Sequence, residues 1–129
     1  MKIPDITIRE ATISDLPSLM NVIDASLLYV DIESVKSSIS SNDVLVATSP
    51  TTILGVLISK QNNIEAIAVR SRRRHQGIGS ALVRSLAKKL DGPLIAEFDG
   101  PSLQFYQKLG FSLLSEHQGR FTASYQIID

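Results

Sequence analysis

The chain has 129 residues, 43% of them hydrophobic, which suits one domain of ordinary size with a real core. Lys plus Arg (13) balances Asp plus Glu (13), so net charge drives the chain toward neither nucleic acid nor an anionic membrane. Cysteine is absent, which excludes disulfides, thiolate zinc sites and a cysteine nucleophile, and suits a reducing cytoplasm. Met1-Lys2-Ile3-Pro4-Asp5 lacks the apolar core of a signal peptide, and no apolar run reaches the ~18 residues of a membrane span.

Ile6-Thr7-Ile8-Arg9 alternates as a strand does. Thr12 and Asp15 have capping-box spacing and predict a helix from Ile13 to about Tyr29, with Leu16, Leu19, Met20, Ile23 and Leu27 on one face. A shorter helix is expected over Ile32 to Ile39, within a serine-rich stretch. Val44 to Thr48 and Ile53 to Ser59 read as an antiparallel hairpin around Ser49-Pro50-Thr51. Gln61-Asn62-Asn63 turns the chain into a third strand, Ile64 to Val69. Ile78, Leu82, Leu86 and Leu90 then recur at helical spacing until Asp91-Gly92-Pro93 stops the helix. Leu94 to Phe98 is a strand, parallel to the Ile64 strand if the helix between them is a right-handed crossover. Asp99-Gly100-Pro101 turns, Ser102 to Leu109 is a short helix closed by Gly110, and Phe111 to Glu116 and Phe121 to Ile128 form a closing hairpin around Gln118-Gly119. The order gives an α/β domain, residues 1–129, with one mixed sheet.

One stretch carries chemistry. Arg74-His75-Gln76-Gly77-Ile78-Gly79-Ser80 directly follows a strand and opens a helix. Gly77 and Gly79 remove side chains where a ligand would approach the backbone, and the N–H groups from about Gln76 to Ser80 belong to a helix start, where unpaired donors and the dipole attract phosphate. The plainer reading is that the two glycines only let a helix start close to a sheet. No Gly-Lys-Ser/Thr follows, so this is not a Walker loop, and Gly-x-Gly-x-x-Leu is not the dinucleotide fingerprint.

The turn resembles the Arg/Gln-x-x-Gly-x-Gly/Ala signature of the GNAT superfamily of N-acetyltransferases, here Arg74-His75-Gln76-Gly77-Ile78-Gly79. Ile67-Ala68-Val69 resembles that family's strand end. Phe105-Tyr106-Gln107-Lys108-Leu109-Gly110-Phe111 resembles its Tyr-x-Lys-x-Gly-Phe corner. The two motifs lie about thirty residues apart, as one helix and one strand require. The resemblance implies the acyl-CoA N-acyltransferase fold: a mixed, mostly antiparallel sheet with helices on both faces and a central parallel pair splayed at the cofactor site. It implies acetyl-CoA as cosubstrate, with the pyrophosphate on the backbone from Gln76 to Ser80 and Arg74 and His75 beside it. The pantetheine would pair with the backbone of Ile67 and Val69. Asp99 stands where the family often has Asn, and an ionised Asp accepts hydrogen bonds but donates none. Ser102 replaces a frequent Ala.

Acetyl transfer to an amine needs a neutral amine, a stabilised oxyanion and, for the leaving thiolate, a proton. Tyr106 matches the family tyrosine that protonates the sulfur; the alternative is structural packing beside Phe105. Glu65, sharing by alternation a face with Asn63, Ile67 and Val69, is the first candidate for the base; Glu97 and Asp99 are the other carboxylates. The backbone N–H near Val69 is a candidate oxyanion donor. His117 carries no functional mark, and two scattered histidines do not make a metal site.

Arg70, Arg72, Arg73 and Arg74 form a basic cluster that reads better as a rim around the turn than as a nucleic-acid grip. The aromatic content is 5%, and no base-stacking platform is visible. The resemblance points to an amine acceptor: a protein N-terminus or lysine, a polyamine, an aminoglycoside or a small amine. Asp31-Ile32-Glu33 could favour a cationic one, but reads better as a solvated helix start. A homodimer is a habit of the family. A non-catalytic coenzyme-A-binding domain of the same fold is the competing function, and a basic-patch nucleic-acid binder a third.

Overall fold

The computed structural model describes residues 5–25, 30–73 and 76–127. Its strands are β1 (Thr7–Glu10), β2 (Val44–Thr48), β3 (Ile53–Lys60), β4 (Asn63–Val69), β5 (Leu94–Asp99), β6 (Ser112–His117) and β7 (Arg120–Tyr125). Its helices are α1 (Leu16–Ala25), α2 (Ile32–Ser40), α3 (Ile78–Lys89) and α4 (Leu103–Leu109). Among the described residues no helix is long and apolar enough to cross a membrane.

The first helical segment differs from its sequence expectation. It opens as a 3-10 turn over Ile13–Asp15, and the α-helix runs only from Leu16 to Ala25; the expected continuation to Tyr29 lies outside the described residues. The Thr12 N–H donates to the Asp15 carboxylate at 2.7 Å, as the spacing predicts. Arg9 adds a two-pronged clasp on the same carboxylate, at 2.8 and 2.9 Å. Asp31 caps α2 by accepting from the Ser34 N–H at 3.2 Å.

The strands form one sheet in the order β1-β2-β3-β4-β5-β7-β6. All neighbours are antiparallel except β4 and β5. The last strand thus inserts between β5 and β6 rather than merely closing a hairpin. Gln118 (φ 52°) and Gly119 (φ 82°) both sit in the left-handed region between His117 and Arg120, which are paired; a two-residue hairpin requires that backbone.

The sheet divides the interior into two cores. Leu19, Val22 and Ile23 of α1 and Val35 and Ile39 of α2 bury against Val44, Val46, Val56 and Ile58. On the other face Ile78, Leu82, Val83 and Leu86 of α3 pack on Leu57, Ile64, Ile67 and Val69, and on Leu94, Ala96 and Phe98 of β5. The fully buried leucines and valines of this sandwich contribute about 1.5–3 kcal/mol each. Helices α1 and α2 lie over β3 and β4. Every residue of β6 is exposed.

Gly55 controls how closely α3 approaches the sheet. A Cβ there would stand 3.0 Å from Ile78 Cγ2, 3.2 Å from Leu82 Cδ1 and 3.3 Å from the Ala68 carbonyl. Two bulges lie nearby. Leu54 is an extra residue in β3 opposite Ala47 and Thr48, and Glu65 is an extra residue in β4 opposite Ile58 and Ser59.

Candidate active site

The site begins with a pairing that stops. β4 and β5 pair only at Asn63 with Ile95 and at Ile64 with Ala96. Beyond that point the parallel strands diverge, and a cleft of about 860 Å³ opens between them, lined on one side by Glu65 to Val69 and on the other by Glu97, Phe98 and Asp99. The β5-side edge of β4 from Glu65 to Ala68 therefore faces the cleft instead of a strand. The bulge coincides with the divergence. It also corrects the alternation argument for Glu65: Ile64, Ile67 and Val69 all enter the α3-side core and Ala66 and Ala68 the other, so β4 changes phase at Glu65. The carboxylate lines the cleft because of the bulge, not because of a regular period of two.

The start of α3 forms one end of the cleft, where Gly77, Ile78, Gly79 and Ser80 line it. Gly77 is the N-cap, in the left-handed region at φ 83°, and the Ala81 N–H donates to its carbonyl at 2.9 Å. The N–H groups of this first turn have no partner within the helix, and the dipole adds partial positive charge there. Gly79 has a second role besides ligand access. Its missing Cβ would come 3.0 Å from Leu109 Cδ2, so the glycine lets α3 meet the end of α4.

The arginines divide. Arg73 lines the cleft, and its Nε donates to Gln76 Oε1 at 2.8 Å. Gln76 itself does not line the cleft; its side chain holds Arg73. Arg70 turns away from the site: its Nε donates to the Ile53 carbonyl at 2.7 Å and its backbone N–H to the Leu54 carbonyl at 2.8 Å. Arg74 and His75 lie outside the described residues.

Tyr106 forms the opposite wall. Its ring stacks on Phe98 with centroids 4.3 Å apart and planes 10° from parallel, and meets Phe105 and Phe111 edge-on at 5.2 and 5.4 Å. Among the described residues its hydroxyl has no hydrogen-bond partner, yet no buried polar side-chain atom is left unpaired, so the hydroxyl reaches the open cleft. Burial raises the phenol above its ordinary value of 10.0, and the positive charge of Arg120 opposes that rise.

Sequence reasoning does not single out Arg120. It starts β7 directly beside Asp99 in the sheet, and its Nη1 donates to Asp99 Oδ1 at 3.0 Å. Its Nη2 reaches the Glu97 carbonyl at 3.5 Å. Asp99 is thus the anchor of a guanidinium. Lys108 and Phe105 of α4 complete the lining, together with Ser102 and Gln104. Only the fold could reveal Arg120, because the register of β7 against β5 is not written in either strand. The structure brings together Glu65, Ile67, Ala68, Val69, Gly77, Ile78, Gly79, Ser80, Asp99 and Tyr106 from the sequence prediction, and Gln76, exposed, does not line the cleft.

The family model of the acetyltransferase (GNAT) domain matches residues 40–113. That match covers more than half of the chain, and the chain belongs to the GNAT acetyltransferase family. Solved structures show the same fold over nearly the whole length. A GNAT-family acetyltransferase from Bacillus cereus superposes with a TM-score of 0.77 at 16% identity, over 96% of this chain and 99% of that one. Ard1 from Thermoplasma volcanium gives 0.76 at 19% identity, over 97% and 99%. The PaiA N-acetyltransferase from Thermoplasma acidophilum, solved with coenzyme A, gives 0.73 at 21% identity, over 95% and 99%. A search of curated protein sequences finds no match.

Proposed function

We propose that this chain, as one N-acetyltransferase domain over residues 1–129, transfers an acetyl group from acetyl-CoA to a primary amine, by direct attack in a ternary complex. The observation that carries the reading is the diverging β4–β5 pair with the side-chain-free start of α3 at one end and the Tyr106 hydroxyl on the opposite wall. The cradle fits the pyrophosphate: Gly77 and Gly79 leave the backbone bare, Ile78 and Ser80 complete the first turn, and Arg73 adds a cation. The β4 edge at Ile67 and Ala68 fits the amides of the pantetheine arm. The bound donor supplies an acetyl group activated as a thioester.

The protein's residues do the rest. Glu65 takes a proton from the incoming ammonium so that the amine can attack. Tyr106, kept protonated by burial against Phe98, gives a proton to the leaving sulfur. Arg74 and His75 extend the cofactor rim by resemblance alone. We read the protein as cytoplasmic, because a chain without cysteine suits a reducing compartment. The test is release of free coenzyme A in the presence of a panel of amines, run beside thermal shift with acetyl-CoA. Stabilisation by acetyl-CoA together with thiol release supports the reading. Tight acetyl-CoA binding with no release for any amine would leave a coenzyme-A-binding domain and refute the transferase.

A further inference from the structure

The strands part just after Ile64 and Ala96, the last pair that β4 and β5 form. The next residue on each strand is a glutamate, Glu65 on β4 and Glu97 on β5, so one stands on either side of the fork at its closed end. Both residues are exposed, and both line the cleft. Among the described residues neither carboxylate has a hydrogen bond or an ion pair. Asp99 differs, because Arg120 pairs with it at 3.0 Å and offsets its charge. The other cations of the lining belong to the opposite end of the cleft. Arg73 is held by Gln76 ahead of α3, and Lys108 stands beside Leu109, which packs on Gly79 at the start of α3.

Strand parity gives the fork a second mouth. Ala96 and Phe98 enter the α3-side core, so Glu97 between them points to the other face of the sheet. Its row on that face is Glu97, Thr122 and Ser115. Among the described residues, the strand residues buried under α1 and α2 all come from β2, β3 and β4. This row is therefore left uncovered: Glu97 and Ser115 are exposed and Thr122 is half-buried.

We propose that the acceptor enters from this uncovered face and is a primary amine with a second ammonium group, as in a diamine or polyamine, with Glu65 at the reacting nitrogen and Glu97 holding the other. The inference rests on the proposed transferase reading and deepens it by naming the acceptor class. Charge separates the two mouths. The start of α3, with Arg73 and Lys108, draws an anion, and the fork between Glu65 and Glu97 draws a cation. An acceptor with a carboxylate of its own would meet like charges at the fork. Arg120 does not reverse this, since it donates to Asp99 at 3.0 Å and reaches the Glu97 carbonyl at 3.5 Å. A monoamine leaves Glu97 without a counter-ion, whereas a diamine supplies one. Glu97 is thus a specificity-determining residue. It selects among acceptors and takes no proton, which is the part of Glu65.

The test has two independent readouts. The first is titration calorimetry of the whole chain at low salt, in the presence of coenzyme A, with 1,4-diaminobutane and with butan-1-amine. A diamine's two equivalent ends give about a factor of two and an exposed ion pair adds up to about fivefold, so the diamine should bind about tenfold more tightly. Glu97→Gln should cut that preference to about twofold, and Glu97→Asp should keep most of it. The second readout is thiol release from acetyl-CoA with the same two amines. The preference should appear there in KM rather than kcat, and Glu97→Gln should remove it. A parent protein that binds the two amines within about twofold overturns the proposal. So does a preference that survives Glu97→Gln, because the second ammonium then lies elsewhere. A fall in kcat shared equally by both amines in Glu97→Gln overturns it as well, by placing Glu97 in the proton transfer. A Glu97-dependent binding preference without thiol release for either amine would defeat the transferase reading and keep the two-ammonium site.

Discussion

Gly55→Ala tests whether the cofactor cradle is set by packing beneath it. The new methyl would stand 3.0 Å from Ile78 Cγ2, 3.2 Å from Leu82 Cδ1 and 3.3 Å from the Ala68 carbonyl oxygen. Ile78 and Leu82 are 1% and 0% exposed, so neither side chain has free space to enter, and the third neighbour is the backbone of β4. Overpacking of this kind costs about 1–3 kcal/mol, and the loss of glycine's unfolded-state freedom offsets about 0.4–1 kcal/mol. The net destabilisation is about 1–2 kcal/mol. An unfolding entropy of about 2.1 cal/mol/K per residue makes that a fall in Tm of about 4–8 °C for this chain. The cheapest relief is outward movement of the start of α3, whose first residue is Ile78. One lost N–H contact to a charged phosphate is worth about 1.5–3 kcal/mol, so Kd for acetyl-CoA should rise about 10- to 150-fold. Thermal unfolding and titration calorimetry measure the two effects. Gly119→Ala is the control: nothing lies within 4 Å of its added Cβ, so it strains a left-handed turn and leaves Kd unchanged. A Gly55→Ala protein with Tm within a degree and Kd within twofold of the parent would refute the claim that α3 rests on this glycine.

Tyr106→Phe keeps the stack on Phe98 and removes the proton donor, so kcat should fall about 100-fold with KM for acetyl-CoA within about twofold; unchanged turnover would remove Tyr106 from the chemistry. Glu65→Gln should abolish the acidic limb of the kcat/KM profile and Glu97→Gln should leave it; the reverse result transfers the base to Glu97. Asp15, held by Arg9, has its carboxyl lowered to about 2, first by the Arg9 hydrogen bonds. A lowered carboxylate stabilises the fold above its unfolded value near 4 and loses that contribution as pH falls toward 2. With screening at this partly exposed clasp, urea unfolding of Asp15→Asn should show a deficit of about 1–2 kcal/mol at pH 5–7 that closes by about pH 2. A deficit that is flat with pH would mean the clasp acts through packing.

The strands and helices with strong periodicity were legible in the sequence because each element's own residues determine it. Ile78, Leu82 and Leu86 face one core, and Val44 to Thr48 is a strand to the residue. The helix start at Gly77 was legible for the same reason, since its left-handed N-cap is a local backbone feature. What sequence could not supply were features made by two segments at once. The bulge at Glu65 is defined only against Ile58 and Ser59, and strict alternation therefore misplaced its phase. Arg120 meets Asp99 because β7 enters between β5 and β6, a topology that hairpin signals alone do not encode. Arg70 shows the converse error: four arginines in a run look alike, yet one is consumed by the Ile53 carbonyl. Gly55 carried no motif at all, and its role appears only when Ile78 and Ala68 stand over it.

These two-segment features share a cause. β1 to β4 are tightly paired, and α1, α2 and α3 fix the strands from both sides of β3. Within the sheet, β5, β7 and β6 pair with that block at Asn63 with Ile95 and Ile64 with Ala96. In the paired rows of this second block Glu97 stands beside Thr122 and Asp99 beside Arg120, and His117 lies beyond Arg120 on β6. Directly paired residues share a face, and Leu94, Ala96 and Phe98 point to the α3 side, so this polar row is on the opposite face. The cleft is therefore the seam between a block that carries the start of α3 and a second block that carries Phe98, on which Tyr106 stacks, and the Asp99–Arg120 pair. In the proposed reaction the donor and Glu65 are held on the first block and Tyr106 on the second. Their relative placement rests on the α3-side core that Ile64, Ile67, Leu94, Ala96 and Phe98 share, on Asn63 with Ile95 and Ile64 with Ala96, and on the contact that Gly79 permits between the start of α3 and Leu109 at the end of α4.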